Sequence, residues 1–256
     1  MIDVHSHILP GLDDGAGTLE ESVEMVRMAQ AAGTTDIVAS PHANIEYEFV
    51  QEVVEAKIAE VGAAAGEGIR IHYGCDFHLT MENIADALAH PGKYAIGHRC
   101  YLLVEFADIA IPKFTTDIFG EMIAAGIRPV VTHPERNPLL QRRLPELEIW
   151  VGMGCLLQVT ALSFSGRFGR AAEAFSRELM GRGLVHVIAS DAHDTRHRPP
   201  VLDGTFQHIS REYGEETAVA TMLENPRAVI SGTPLPPGPM PAPRRKKWYQ
   251  RLAPRG

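Results

Sequence analysis

The chain begins Met-Ile-Asp-Val-His5-Ser-His7, and histidines alternating on an extended segment place both imidazoles on one face, within reach of a single ion. The pair alone is a weak signal. It gains weight from Asp13-Asp14-Gly15, Ser-Pro-His42, Gly-Cys-Asp76-Phe-His78, Leu-Val-Glu105-Phe, Thr-His133-Pro-Glu-Arg136 and Ser-Asp191-Ala-His193 further along. Taken singly, Asp-Asp-Gly is a turn, and Glu105 is a salt-bridge partner at the end of a buried strand, where a lone carboxylate would be unfavourable. Six apolar runs, however, each end in His, Asp or Glu. That recurrence points to a polynuclear metal site built from His5, His7, Asp14, His42, Asp76, Glu105, His133, Asp191 and His193. Imidazole and carboxylate ligands without thiolate suit manganese, iron or zinc rather than a calcium cage. Two or three such ions about 3.5–4 Å apart lower the pKa of a bridging water and polarise the bond it attacks, which is chemistry for phosphoester or amide hydrolysis. Arg136, and Arg198 in His197-Arg-Pro-Pro, supply guanidinium forks that match phosphate oxygens. His78, two residues past Asp76, could line the pocket without ligating an ion. His72, His90, His98, His186 and His208 fall inside strands, at helix ends or in loops, and are read as structural or solvated.

The elements that must carry these residues follow from hydrophobic periodicity. Seven β-rich apolar runs, Ile2–Val4, Asp36–Ala39, Ile69–Tyr73, Cys100–Phe106, Arg128–Thr132, Cys155–Val159 and Leu184–Ala189, are predicted strands. Helical spacing fills the intervals at Leu19–Ala32, Glu48–Ala65, Met81–Ala89, Thr115–Ala125, Leu144–Met153 and Phe168–Arg182, with Gly204–Tyr213 and Glu216–Glu224 after the last strand. Thr18-Leu-Glu-Glu21 is a capping box at the start of the first helix, and Gly33, Gly126 and Gly183 stand where helices should end. Alternating strands and helices, with strands apolar on both faces, imply a parallel sheet covered by helices, either an open doubly wound sheet or a closed barrel. Seven units without a glycine-rich nucleotide fingerprint favour the α/β barrel. Barrels of this kind build their sites at the C-terminal ends of the strands, where the polar residues above cluster.

Composition sets the outer bounds. At 256 residues, 45% hydrophobic and 22% charged, the chain is a folded globular domain with ample core. No apolar run approaches the roughly 18 residues of a membrane span, and no basic-then-apolar leader precedes His5, so a cytoplasmic location is expected. Cys75, Cys100 and Cys155 are an odd, widely spaced set that fits reduced, buried thiols. The net charge is −8, and since the last 24 residues hold six basic and no acidic residues, residues 1–232 carry −14. Such a body is a poor nucleic-acid binder. Residues 233–256 differ in kind: a proline-rich run to Pro243 is followed by Arg-Arg-Lys-Lys-Trp-Tyr249. This reads as a disordered tail, either merely solvated or docking an acidic partner or an anionic membrane surface.

The ordered motif set, from Asp-Val-His5-Ser-His7 through Asp14-Gly15, Ser-Pro-His42, Leu-Val-Glu105-Phe, Thr-His133-Pro-Glu-Arg136 and Ala-Ser-Asp191-Ala-His193 to Arg198-Pro-Pro, resembles the PHP (polymerase and histidinol phosphatase) superfamily. Within it the chain is similar to the manganese-dependent bacterial protein tyrosine phosphatases of capsular and exopolysaccharide operons, over about residues 1–230. The resemblance implies a distorted (β/α)7 TIM-like barrel with three metal ions at the strand C-termini. It places His5, His7, Glu105 and Asp191 on one ion, Asp76, Glu105 and His133 on a second, and Asp14, His42 and His193 on the third, with Arg136 and Arg198 binding phosphate. Many members carry Glu where this chain has Asp76, and the shorter side chain shifts its metal or admits a water. The implied substrate is a phosphotyrosine-bearing protein, a bacterial tyrosine autokinase whose state regulates polysaccharide polymerisation or export. A small-molecule phosphatase acting on histidinol phosphate or a sugar phosphate is the alternative within the same chemistry. A non-catalytic metal-bound scaffold docking through its basic tail is the alternative outside it.

Overall fold

The computed structural model describes residues 1–237; the basic run from Arg244 to Tyr249 lies outside the described residues. The described residues form nine strands and nine α-helices. The strands are β1 (Ile2–Ser6), β2 (Asp36–Ala39), β3 (His42–Ala43), β4 (Arg70–Tyr73), β5 (Asp76–His78), β6 (Tyr101–Glu105), β7 (Arg128–Thr132), β8 (Leu156–Thr160) and β9 (Val187–Ala189). The helices are α1 (Leu19–Ala31), α2 (Gln51–Ala65), α3 (Met81–Ala89), α4 (Thr115–Ala124), α5 (Leu144–Met153), α6 (Gly169–Gly181), α7 (Asp203–Tyr213), α8 (Glu215–Val219) and α9 (Asn225–Ser231). All strand pairs are parallel.

Two of the seven predicted strands continue past a break. Ser40-Pro41 separates β2 from β3, and Gly74-Cys75 separates β4 from β5. Proline contributes no ladder donor, and a Cβ at Gly74 would lie 2.5 Å from Val38 Cγ1, so the Val38 side chain fills the space a side chain at 74 would need. The breaks divide the strands into a sheet ordered β1-β2-β4 and a sheet ordered β3-β5-β6-β7-β8-β9. Continuity of β2 with β3 and of β4 with β5 joins the sheets on one side. On the other, the Asp191 amide donates to the His5 carbonyl at 2.9 Å, the His7 amide donates to Ala192 at 2.8 Å, and Ser6 bridges Ala192 in parallel. The seven strand lines therefore close into a ring.

Alternate strand residues segregate, as the pleat requires. Leu102, Val104, Val131, Leu157 and Val159 pack with helical Phe119, Met122, Trp150 and Leu179 in one large cluster. Tyr101, Leu103, Val130, Leu156, Val187 and Ala189 form a second cluster with Ile2, Val4 and Val38, filling the ring. Val229 of α9 joins this inner set. The sequence pattern ended the last helix at Glu224, whereas the chain passes through a π-helical turn at 220–224 into α9. Pro226 follows on that turn, in the first turn of α9. At α1 the Thr18 hydroxyl accepts from the Glu21 amide at 3.2 Å, while the Glu21 carboxylate accepts from Gly17 rather than from Thr18, a capping box displaced by one residue. Beyond α9, Thr233 accepts a hydrogen bond from the Tyr101 hydroxyl at 2.9 Å, and Leu235 packs against the inner cluster. Among the described residues no helix is long and apolar enough to cross a membrane. All three cysteines are free, with Cys75 and Cys155 buried and Cys100 half-buried.

Candidate metal centre

The residues that follow the strands converge at one end of the ring. His5 Nδ1 meets Gln158 Oε1 at 3.0 Å and His7 Nδ1 meets Asp13 Oδ2 at 2.7 Å. An Nδ1–H donated to each of these oxygens leaves both Nε2 lone pairs facing inward, the usual way an outer group fixes a ligand tautomer. The two Nε2 atoms lie 3.2 Å apart. Asp13 also accepts from the amides of Gly15 at 3.0 Å and His42 at 3.1 Å. The turn is this tight only because residue 15 is glycine, since a Cβ there would lie 2.1 Å from the His7 carbonyl oxygen. The adjacent aspartates therefore divide the work: Asp13 orients His7, and Asp14 faces His42 Nε2 at 3.3 Å and His193 Nε2 at 3.4 Å.

Deeper in, Asp76 Oδ2 lies 3.3 Å from His5 Nε2 and 3.4 Å from His42 Nδ1. Glu105 reaches His42 at 3.4 Å and His133 at 3.4 Å, and it contacts His78 directly. Asp191 Oδ1 stands 3.5 Å from both His5 and His7. The separations fit donors sharing an ion, because two ligands each about 2.1 Å from one metal lie about 3.0–3.4 Å apart in octahedral or tetrahedral geometry. Five groups of ligand atoms are compact enough for this: His7, Asp14, His42 and His193; His5, His7 and Asp76; His5, His133 and Asp191; His42, His78 and Glu105; and Asp76, Glu105 and His133. All nine residues expected from the sequence fall in them, together with His78.

The donor set needs cations. Asp76 is 0% exposed, and neither of its carboxylate oxygens has a hydrogen-bond partner; His42 Nδ1 is orphaned likewise. Burying a carboxylate costs several kcal/mol unless a partner is supplied. Metal ions satisfy all of these atoms at once, so the residues present fit the group.

Backbone strain concentrates here. Among the described residues, only His98, His133 and Asp191 have positive φ without being glycine, and His133 (31°) and Asp191 (52°) both face the cluster. Residues held in that region are costly and persist where the surroundings over-determine them. Burial alone would push the Asp191 carboxyl up, but His5, His7, Arg136 and Arg198 outweigh it and hold the group well below the usual carboxylate range. Burial, reinforced by Arg136, drives His133 well below the ordinary imidazole value, leaving it neutral and able to ligate.

Arg136 and Arg198 reach the centre from the loops after β7 and β9. Both guanidiniums contact Asp191 Oδ2, Arg198 at 2.6 Å, and both lie over the Phe168 ring, at 4.3 and 5.8 Å from its centroid. Glu135, between His133 and Arg136, is fully buried and accepts from the Thr160 amide at 2.9 Å and the Ser163 hydroxyl at 2.7 Å. It ties the Arg136 loop to the end of β8, and burial raises its carboxyl to about 7. Sequence reasoning missed Gln158, Phe168 and the orienting role of Asp13. A glutamine inside the apolar run Cys155–Val159 was a usable signal, whereas nothing around Phe168 marked it. Of the histidines set aside, His72 pairs with Asp36 at 2.8 Å, and His186 Nδ1 accepts from the Leu157 amide at 3.1 Å.

A parallel α/β ring with imidazoles and carboxylates gathered at its strand C-termini is the architecture of metal-dependent hydrolases. The chain belongs to the CpsB/CapC family, whose model, described as capsular polysaccharide synthesis, matches residues 1–231. Tyrosine-protein phosphatase YwqE of Bacillus subtilis is 32% identical over 257 residues, covering 96% of this chain and 98% of the relative. Tyrosine-protein phosphatase CpsB of Streptococcus pneumoniae is 28% identical over 242 residues, covering 90% and 98%. A solved structure from work on YwqE and CpsB, described as unique metal-dependent tyrosine phosphatases, superposes with a TM-score of 0.86 at 28% identity, covering 96% of this chain and all of that one. The fold extends to a β-aspartyl dipeptidase of Fervidobacterium islandicum AW-1, with a TM-score of 0.53 at 16% identity.

Proposed function

We propose that this chain is a metal-dependent protein-tyrosine phosphatase that removes phosphate from a bacterial tyrosine kinase governing capsular or exopolysaccharide production. The observation that carries the reading is the pairing of two features in one cleft: buried carboxylates that require cations, and two guanidiniums converging on one carboxylate oxygen at its edge. Three ions, manganese in the cell, would be held by His5, His7, Asp14, His42, Asp76, Glu105, His133, Asp191 and His193, with His78 at the mouth. Bound there, they supply an activated water and charge neutralisation for the phosphoryl group. Family membership and full-length similarity to YwqE and CpsB support the substrate.

The chain's own residues do the rest. Arg136 and Arg198 bind the phosphoryl oxygens as forks, and both guanidiniums pack over the Phe168 ring. Gln158 and Asp13 hold the His5 and His7 rings in the ligating tautomer. No cysteinyl intermediate is involved: burial pushes the Cys75 thiol well up and that of Cys155 to about 12, so neither is a thiolate nucleophile at neutral pH. The site works in the cytoplasm, and the tail from residue 236 onward has no part in the chemistry, so deleting it leaves turnover of a small aryl phosphate unchanged.

Phosphate release from a phosphotyrosine peptide and from histidinol phosphate, each with manganese and after chelation, tests the proposal. Metal-dependent turnover of the peptide with little of histidinol phosphate is the expected result. The reverse preference assigns the centre to small-molecule metabolism, and failure on both with metal bound refutes phosphatase activity on these substrates.

A further inference from the structure

The mouth of the cleft is chemically two-sided. Arg136 and Arg198 approach from the loops after β7 and β9, whereas the loops after β3, β5 and β6 carry large apolar side chains into solvent. Ile45 is 103% exposed, Met81 78%, Ile109 92% and Phe114 69%. Isolated exposed apolar residues need no explanation, but these four sit on the three successive segments that follow β3, β5 and β6 at the metal end of the ring, Met81 as the first residue of α3, and those segments are laced together. Asn83 Nδ2 donates to the Ala43 carbonyl at 2.8 Å and to the His78 carbonyl at 3.0 Å, fixing the start of α3 against the Ile45 loop. The Leu79 amide donates to the Glu105 carbonyl, where the segment leading to Ile109 departs. Asn137 in turn holds the carbonyls of Phe106 and Ala107 at 3.2 and 3.3 Å. An apolar rim held on fixed loops is a preformed contact surface rather than a set of loose tips.

We infer that this rim seats the polypeptide carrying the phosphoryl group, and that it selects apolar residues flanking the phosphotyrosine. The inference rests on the phosphatase reading and adds its sequence preference. With phosphate held by the arginines on the β7 and β9 side, a peptide crossing the mouth lays its neighbouring side chains on the β3, β5 and β6 side. A second copy of this chain is a poorer occupant, because it would cover the metal cleft itself. An anionic lipid surface is poorer still, since the same loops carry Glu46, Glu48, Glu82 and Asp108 against the single cation Lys113. That acidity also disfavours acidic residues next to the phosphotyrosine.

The test uses the full-length, manganese-loaded protein, with free phosphotyrosine and two phosphotyrosine peptides that differ only in having leucine or serine at the two positions on each side. The leucine peptide is expected to be favoured about tenfold in kcat/KM, and I45S/M81S/F114S to bring the two peptides to parity while turnover of free phosphotyrosine stays unchanged. All three substituted side chains are solvent-exposed, so the fold is kept, which a thermal melt checks. Equal rates on the two peptides in the parent protein overturn the inference, as does an equal loss on free phosphotyrosine in the variant. Sedimentation showing a dimer that the substitutions dissociate makes a second copy the occupant and overturns it too. Failure on phosphotyrosine and both peptides, with metal bound, removes the phosphatase reading on which the rim depends.

Discussion

If the orphaned Asp76 carboxylate is a metal ligand, stripping the metal leaves Asp76 buried, ionised and without a donor to either oxygen, so chelation must lower stability. An ion at one hundred times its Kd stabilises the folded state by about 2.7 kcal/mol. For a domain of this size each kcal/mol moves the melting midpoint by about 2–4 °C, giving about 5–11 °C for one ion and more for a second. The assay is calorimetry of the chelated protein, then of the same sample titrated with manganese, with bound metal counted by mass spectrometry. Asp76→Asn removes a charged ligand while preserving shape, and is expected to at least halve the manganese-induced rise without lowering the melt of the chelated form. A parent protein that melts at one temperature with and without metal refutes the reasoning. So does an Asp76→Asn variant that binds the same number of ions with the same rise.

Three further outcomes follow from contacts around the centre. Phe168→Ala removes the ring beneath Arg136 and Arg198 and is expected to cut kcat/KM for an aryl phosphate by about tenfold, mostly through KM, with metal content unchanged; a loss confined to kcat or to metal content would contradict that role. Gly15→Ala forces a Cβ onto the His7 carbonyl, and its metal stoichiometry should fall together with activity. His186 is held neutral, burial lowering it from 6.5 to about 4 while its Nδ1 accepts from Leu157. The unfolded chain therefore takes up a proton first, so this contribution is complete above pH 6.5 and is lost as pH falls toward 4, at about 3 kcal/mol. Denaturant melts of the parent and His186→Gln across that window should converge at low pH.

The ring and its candidate ligands were legible because both leave periodic marks: apolar runs of strand length alternate with helical spacing, and six runs end in a group able to bind metal. What lay outside the pattern was decided by contacts between distant segments. Nothing in Asp13-Asp14 indicates which aspartate turns toward His7, since that depends on the Gly15 turn folding back on the His7 carbonyl. The breaks at Ser40-Pro41 and Gly74-Cys75 shift β3 and β5 into the larger sheet, a register choice made by their neighbours rather than by composition. Phe168 is ordinary in its own segment and acquires meaning only when two arginines from other loops arrive above it.

Closure of the ring and assembly of the centre use the same atoms. Asp3 accepts from the Ser190 amide at 3.0 Å, and the Asp191 and His7 amides complete the seam between β1 and the chain after β9. His5, His7 and Asp191 are therefore held across the joint between the first and last strand lines, where the ladder is short and the Asp191 backbone is strained. Ions held by these side chains would pin the two edges, and their removal would leave the seam to a few backbone bonds. Hydrogen exchange of the His7 and Asp191 amides should accelerate on chelation by more than the free energy that separates the two melts. Amides in the middle of the larger sheet, such as Val131, should report only global unfolding. Uniform acceleration would mean that the ions stabilise the domain as a whole, and no change at the seam would detach ring closure from metal binding.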